Sequence, residues 1–149
     1  MSGPAQTPDP DLILHGTTVA FGDRAVLIRG ASGAGKSGLG LQLMALGAVL
    51  VSDDRTALRV EGADLVARAP AAIAGMIEAL GFGFLRDEGL KAAWVVAGVA
   101  VVRVEGRRLP PDRATDIAGV ALPLLHKVES PHFPAAIRQY VMLGKWSTP

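Results

Sequence analysis

Eight consecutive residues carry the clearest chemistry in the sequence. Gly30-Ala31-Ser32-Gly33-Ala34-Gly35-Lys36-Ser37 satisfies G-x-x-x-x-G-K-[ST] at every fixed position. In that pattern the glycines let backbone N–H groups turn inward around phosphate oxygens, and a following helix adds its positive end. Lys36 is placed to reach the outer phosphates and Ser37 to offer its hydroxyl to Mg²⁺. The pattern therefore predicts a P-loop that binds nucleotide phosphates with Mg²⁺, the phosphates lying on residues 33–37. A second candidate is Asp53-Asp54, which ends an apolar run at residues 48–52. Adjacent residues on an extended chain point in different directions. One acid can then face a metal while the other meets an acceptor hydroxyl as base. The three histidines, His15, His126 and His132, show no metal-binding spacing.

These groups need elements to hold them. Residues 13–21 alternate loosely and read as a strand, Gly22-Asp23 as a turn, and residues 24–29 as a second strand in a hairpin with the first. Residues 36–46 read as a helix, because Leu39, Leu43 and Leu46 share one face and Gly47 suits its end. Residues 48–52 read as a buried strand, and 56–60 with 64–68 as a hairpin about Glu61-Gly62. Residues 71–80 are expected to form a short helix and 81–85 a loop or strand. Residues 92–105 suggest one or two buried strands, 107–112 a loop and 120–128 a last strand. Residues 134–143 suggest a terminal helix with proline in its first turn. The expected fold is α/β, a P-loop-containing mixed sheet with flanking helices, and partly antiparallel because few helices link the later strands.

Length and composition bound the rest. The chain has 149 residues, enough for one domain. It is 50% hydrophobic and 19% charged, which argues against disorder. A net charge of +1, from 15 basic and 14 acidic residues, excludes a strong electrostatic nucleic-acid binder. With no cysteine, thiolate zinc sites and cysteine nucleophiles are impossible. The longest apolar run, residues 92–102, is too short to span a bilayer. Residues 1–10 read as a flexible tail with no signal-peptide character, and 11–149 as one domain. A soluble, cytoplasmic protein is expected, with no membrane and no nucleic acid among its partners.

Taken together, these residues resemble the catalytic, C-terminal domain of HPr kinase/phosphorylase in a short, single-domain form. The resemblance rests on His15-Gly16, residues 30–37, and Val51-Ser52-Asp53-Asp54. Ile77-Glu78-Ala79-Leu80-Gly81-Phe82-Gly83 also looks like the family segment I-E-x-R-G-x-G. It implies an ATP-dependent kinase that phosphorylates a serine of the phosphocarrier HPr of the phosphotransferase system, regulating carbon and nitrogen metabolism. It further implies that Asp53 is the proton-accepting base, that His15 pairs with Asp53 and tunes it, that Ser37 and Asp54 serve Mg²⁺, and that the protein is a hexamer. Two positions depart from the family: Gly38 stands where an acid follows the P-loop serine, and Leu80 where an arginine stands. Both argue against the phosphorylase half of the activity. They also favour the alternative of an ATP-binding regulatory or interaction module with reduced catalysis. A small-molecule kinase using Arg103, Arg107, Arg108 and Arg113 as a lid is a third reading.

Overall fold

Gly16 divides the first apolar stretch. Instead of one strand over residues 13–21, the structure has β1 (Leu12–His15) and β2 (Thr17–Phe21). It is a computed structural model that describes residues 12–146, so the tail expected over residues 1–10 lies outside the described residues. A Cβ on Gly16 would meet Leu27 Cδ1 at 2.8 Å and the Ile28 carbonyl oxygen at 3.0 Å, so a side chain does not fit at the break. β2 forms the expected antiparallel hairpin with β3 (Arg24–Arg29), while β1 departs to pair with β5 (Arg55–Glu61).

The 30–37 loop joins β3 to α1 (Lys36–Ala45). Gly47, at φ +107°, ends that helix. Its N–H donates to the Met44 carbonyl and that of Ala48 to the Leu43 carbonyl, both at 3.0 Å, which satisfies carbonyls the helix leaves open. β4 (Val49–Ser52) then runs antiparallel to β2, hence in the direction of β3. The 30–37 loop and Asp53 therefore emerge at the same end of the sheet, where strands of α/β folds present their ligand sites.

β5 and β6 (Asp64–Arg68) form the second expected hairpin. The helix expected over residues 71–80 is absent: only a single 3-10 turn, Ala71–Ile73, precedes β7 (Met76–Ala79), which pairs with β8 (Gly83–Arg86). Gly75 is the reason. It sits at φ +77°, off the helical path, and a Cβ there would stand 2.9 Å from the Asp87 carbonyl oxygen. β9 (Ala93–Val104) is one long strand, followed by β10 (Ala114–Ile117), unforeseen in the sequence, then β11 (Val120–Lys127) and α2 (Phe133–Leu143).

Nine strands make one mixed sheet in the order β1-β5-β6-β9-β3-β2-β4, with β11 and β10 continuing from β9. The pairs β3–β9 and β9–β11 are parallel and the others antiparallel. At its centre, in β2 and β3, the sheet is buried on both faces, which explains those uninterrupted apolar strands. On β3, Val26 and Ile28 face the cluster under α1 and α2, while Ala25 and Leu27 face the other cluster. β9 serves both through a bulge. Its register slips between Val95, opposite Ala25, and Ala97, opposite Val26. Val95 thus faces one cluster, whereas Val99 and Val101, with the same odd numbering, face the other.

α2 seals the helical face with Phe133, Ile137 and Val141, spaced four apart. Ile137 is 1% exposed, so Ile137→Ala is expected to cost about 2–5 kcal/mol of stability. A urea titration with an unchanged midpoint would refute this.

Candidate functional site

Asp53 is the hub of the site. It is buried at the end of β4 and accepts three hydrogen bonds. Thr17 Oγ1 donates to Oδ1 at 2.8 Å, Ser37 Oγ to the same oxygen at 2.6 Å, and the backbone N–H of Glu78 to Oδ2 at 2.9 Å. A carboxylate has about four acceptor positions, so the one left open is on Oδ2. Each donor is held in turn. The break at Gly16 is pinned by Thr56 Oγ1, which donates to the Gly16 carbonyl at 3.0 Å, and by the Gly16 N–H, which donates to the Asp54 carbonyl at 2.7 Å. This directs buried Thr17 towards β4. Ser37 lies in the first turn of α1, and Glu78 in β7.

The 30–37 loop has the conformation its glycines allow. Gly33 and Gly35 stand at φ +82° and +97°, where a side chain would be strained. Lys36 is buried and its Nζ donates to the carbonyls of Gly30 and Ala31 at 2.9 and 3.2 Å, tying the loop to its own helix. The Leu39 N–H donates to Gly35, so the N–H groups before it have no acceptor within the helix. Gly35 supplies no capping side chain and the first turn holds no acid. The Ala34 N–H donates to the Ala31 carbonyl at 3.0 Å, so the N–H groups of the first turn of α1, beside the Lys36 ammonium, are the donors that suit an anion with several oxygens.

The two flanks of the loop differ. On the β2–β4 flank stand Asp53 and the β7–β8 hairpin. On the β9–β11 flank a cleft of about 540 Å³ opens between Gly35, Gly38 and Leu39 and the segment holding Lys127, Glu129 and Ser130. A larger apolar groove, about 860 Å³, lies between β11 and α2 and is lined by neither the loop nor Asp53.

Of the residues expected from the sequence, Lys36, Ser37 and Asp53 are brought together. Asp54 and His15 are not. Asp54 turns outward at φ +67°, and its carboxylate makes no hydrogen bond among the described residues. His15 is exposed at the end of β1 opposite Arg55, and the expected pairing with Asp53 is not made: the donors to that carboxylate among the described residues are Thr17, Ser37 and Glu78. Thr17 and the Glu78 amide were not foreseen. The only sequence signal for Thr17 is a hydroxyl pair in an otherwise apolar strand. Among the described residues no three His, Asp or Glu side chains converge on a metal position, and no helix is long and apolar enough to cross a membrane.

At the same end of the sheet, Glu105 follows β9. Arg113 grips its carboxylate with Nε at 3.1 Å and Nη2 at 3.2 Å, and the Arg107 N–H donates at 3.2 Å. The hydrogen bonds from Arg113 hold the Glu105 carboxyl below its usual range. A lowered folded value means stabilisation that is full above the unfolded value, about 4.3, and lost as the pH falls through the folded one. Glu105→Gln should therefore lose less stability than wild type between pH 6 and pH 3. Parallel urea midpoints across that range would contradict it.

The architecture is that of an HPr(Ser) kinase domain. It matches the structure of the Hpr(Ser) kinase/phosphatase from Coxiella burnetii with a TM-score of 0.72, covering 88% of this chain and 94% of that one at 23% identity. The chain belongs to the HPr Serine kinase C-terminal domain family, whose model matches residues 9–90. Similar proteins include the HPr kinase/phosphorylases of Caldicellulosiruptor bescii, 42% identical over 82 residues, and Clostridium beijerinckii, 37% identical over 76. These alignments cover 54% and 51% of this chain. The chain spans about a quarter of the length of these curated relatives, 26% and 25% respectively.

Proposed function

We propose that the chain is an ATP- and Mg²⁺-dependent serine kinase acting on the phosphocarrier HPr, assembled as a homohexamer. The observation that carries this reading is the 2.6 Å contact between Ser37 and Asp53, beside Lys36 and the uncapped N-terminal turn of α1. The names of the relatives support HPr as the acceptor. In this reading the N–H groups of residues 33–37 and the Lys36 ammonium bind the phosphates, and the nucleoside occupies the cleft beside Gly38. When bound, Mg²⁺ would supply charge neutralisation at the outer phosphates; the Ser37 hydroxyl would hold it, and Asp54, exposed next to Asp53, would support it from the rim. The acceptor serine oxygen attacks the γ-phosphorus, the bridging oxygen leaves with ADP, and Oδ2 of Asp53 takes the serine proton. His15 has no step in it. The test is incubation of the purified chain with Mg²⁺-ATP and HPr. Intact-mass spectrometry should show one phosphate on an HPr serine, and unmodified HPr would defeat the reading.

A regulatory module that binds ATP with reduced catalysis is the second reading, and Gly38 favours it. A Cβ there meets nothing within 4 Å, so packing does not demand glycine. If wild type is inactive and Gly38→Glu gains activity, the second reading holds.

A further inference from the structure

The β7–β8 hairpin has one face in the core and one outside it. Ile77 is buried and Leu85 packs against the same cluster. Glu78 and Phe84, the adjacent cross-strand pair, lie on the opposite face. At the tip and on that outer face three large apolar side chains are open to solvent: Leu80 is 99% exposed, Phe82 81% and Phe84 68%. Single exposed apolar residues are ordinary, but three within five positions form a patch of the kind that marks a contact surface. No charged residue lies between Ala79 and Leu85.

The patch is held firmly at the reacting group. The Glu78 N–H is bonded to Asp53 Oδ2 at 2.9 Å, two residues before Leu80. At the base, the Asp87 N–H donates to the Gly75 carbonyl at 2.9 Å, and the Leu50 N–H of β4 donates to Asp87 Oδ2 at 3.1 Å. β4 therefore clamps both strands of the hairpin. The β9–β11 flank of the loop is where the proposed nucleoside lies, so the hairpin flank is left for the acceptor. A small acceptor would reach Asp53 and leave the tip uncovered, whereas a protein carrying the serine on its surface must cross it.

We propose that Leu80, Phe82 and Phe84 dock the acceptor protein, through an apolar patch next to its reacting serine. This rests on the kinase reading above. A leucine at position 80 cannot pair with a phosphate, so the contact recognises the apolar surface of the unphosphorylated protein. Affinity for the acceptor then resides in the hairpin, and proton transfer in Asp53 alone.

The test compares wild type, Leu80→Ser/Phe82→Ser, and Leu80→Met/Phe82→Leu, with HPr as the probe. The serine pair is expected to raise KM for HPr about tenfold or more. It should leave kcat at saturating HPr and the Kd of a non-hydrolysable ATP analogue unchanged, and the apolar pair should restore KM. An unchanged KM in the serine pair overturns the proposal. So does a change in oligomeric mass caused by that pair, because the tip would then contact a second copy. Calorimetry of HPr with the analogue-loaded protein separates this proposal from the kinase reading. If wild type binds HPr without phosphorylating it and the serine pair does not bind, docking stands and the kinase reading falls. If wild type neither binds nor phosphorylates HPr, both fall.

Discussion

Turnover on HPr should fall about 10²–10⁴-fold in Asp53→Asn while ATP affinity stays nearly intact. An amide matches the carboxylate in shape but cannot take a proton. The three donors around Asp53 make the variant a clean one. The Glu78 N–H needs an acceptor, whereas the hydroxyls of Thr17 and Ser37 can accept as well as donate. The asparagine carbonyl will therefore turn to Glu78 and its NH₂ to the two hydroxyls. The hairpin stays pinned, and the lost rate reports on proton acceptance rather than on a collapsed site. The readouts are steady-state phosphorylation of HPr, calorimetry with the ATP analogue, and hydrogen exchange at the Glu78 amide. Wild-type turnover in the variant would remove Asp53 from the role of base. Loss of Glu78 protection would show that the rate fell through the fold.

Lys36→Ala should weaken ATP binding about ten- to a hundredfold, the worth of one charge-assisted phosphate contact of about 1.5–3 kcal/mol. In the structure the Lys36 ammonium is buried and satisfied by the Gly30 and Ala31 carbonyls. A phosphate would compete with those carbonyls for the same protons. Alanine removes both the charge and the tie that shapes the loop. Calorimetry giving equal affinity for wild type and variant would refute a phosphate role for Lys36.

What was legible in the sequence follows from how local the determinants are. The loop and α1 could be read because positive-φ glycines and Leu39 with Leu43 act within a few residues. β4 was legible because a strand buried on both faces is apolar throughout. The break at Gly16 was not, since it depends on Leu27 and Ile28 across the hairpin and on β5 forty residues away. The helix expected over residues 71–80 was lost to a contact between Gly75 and Asp87, which no helical periodicity reveals. The same limit applies to the site. Lys36, Ser37 and Asp53 carry a spacing. The other two partners of Asp53 arrive from β2 and β7, and one of them is a backbone amide, whose presence no residue type records. His15 shows the converse, a suggestive residue that the sheet carries away with β1.

β9 decides when this site can exist. Arg24 of β3 is paired with Trp94, about 70 residues further along the chain. At ribosomal speeds of about 5–20 residues per second, β3 spends several seconds outside the exit tunnel with one edge unpaired. A two-stranded hairpin with β2 is marginal on its own. The strand that feeds the loop is thus among the first made and among the last completed. A nascent chain stalled before β9 would present a bare apolar edge to its neighbours on the same message, which is an opening for chaperones or for aggregation.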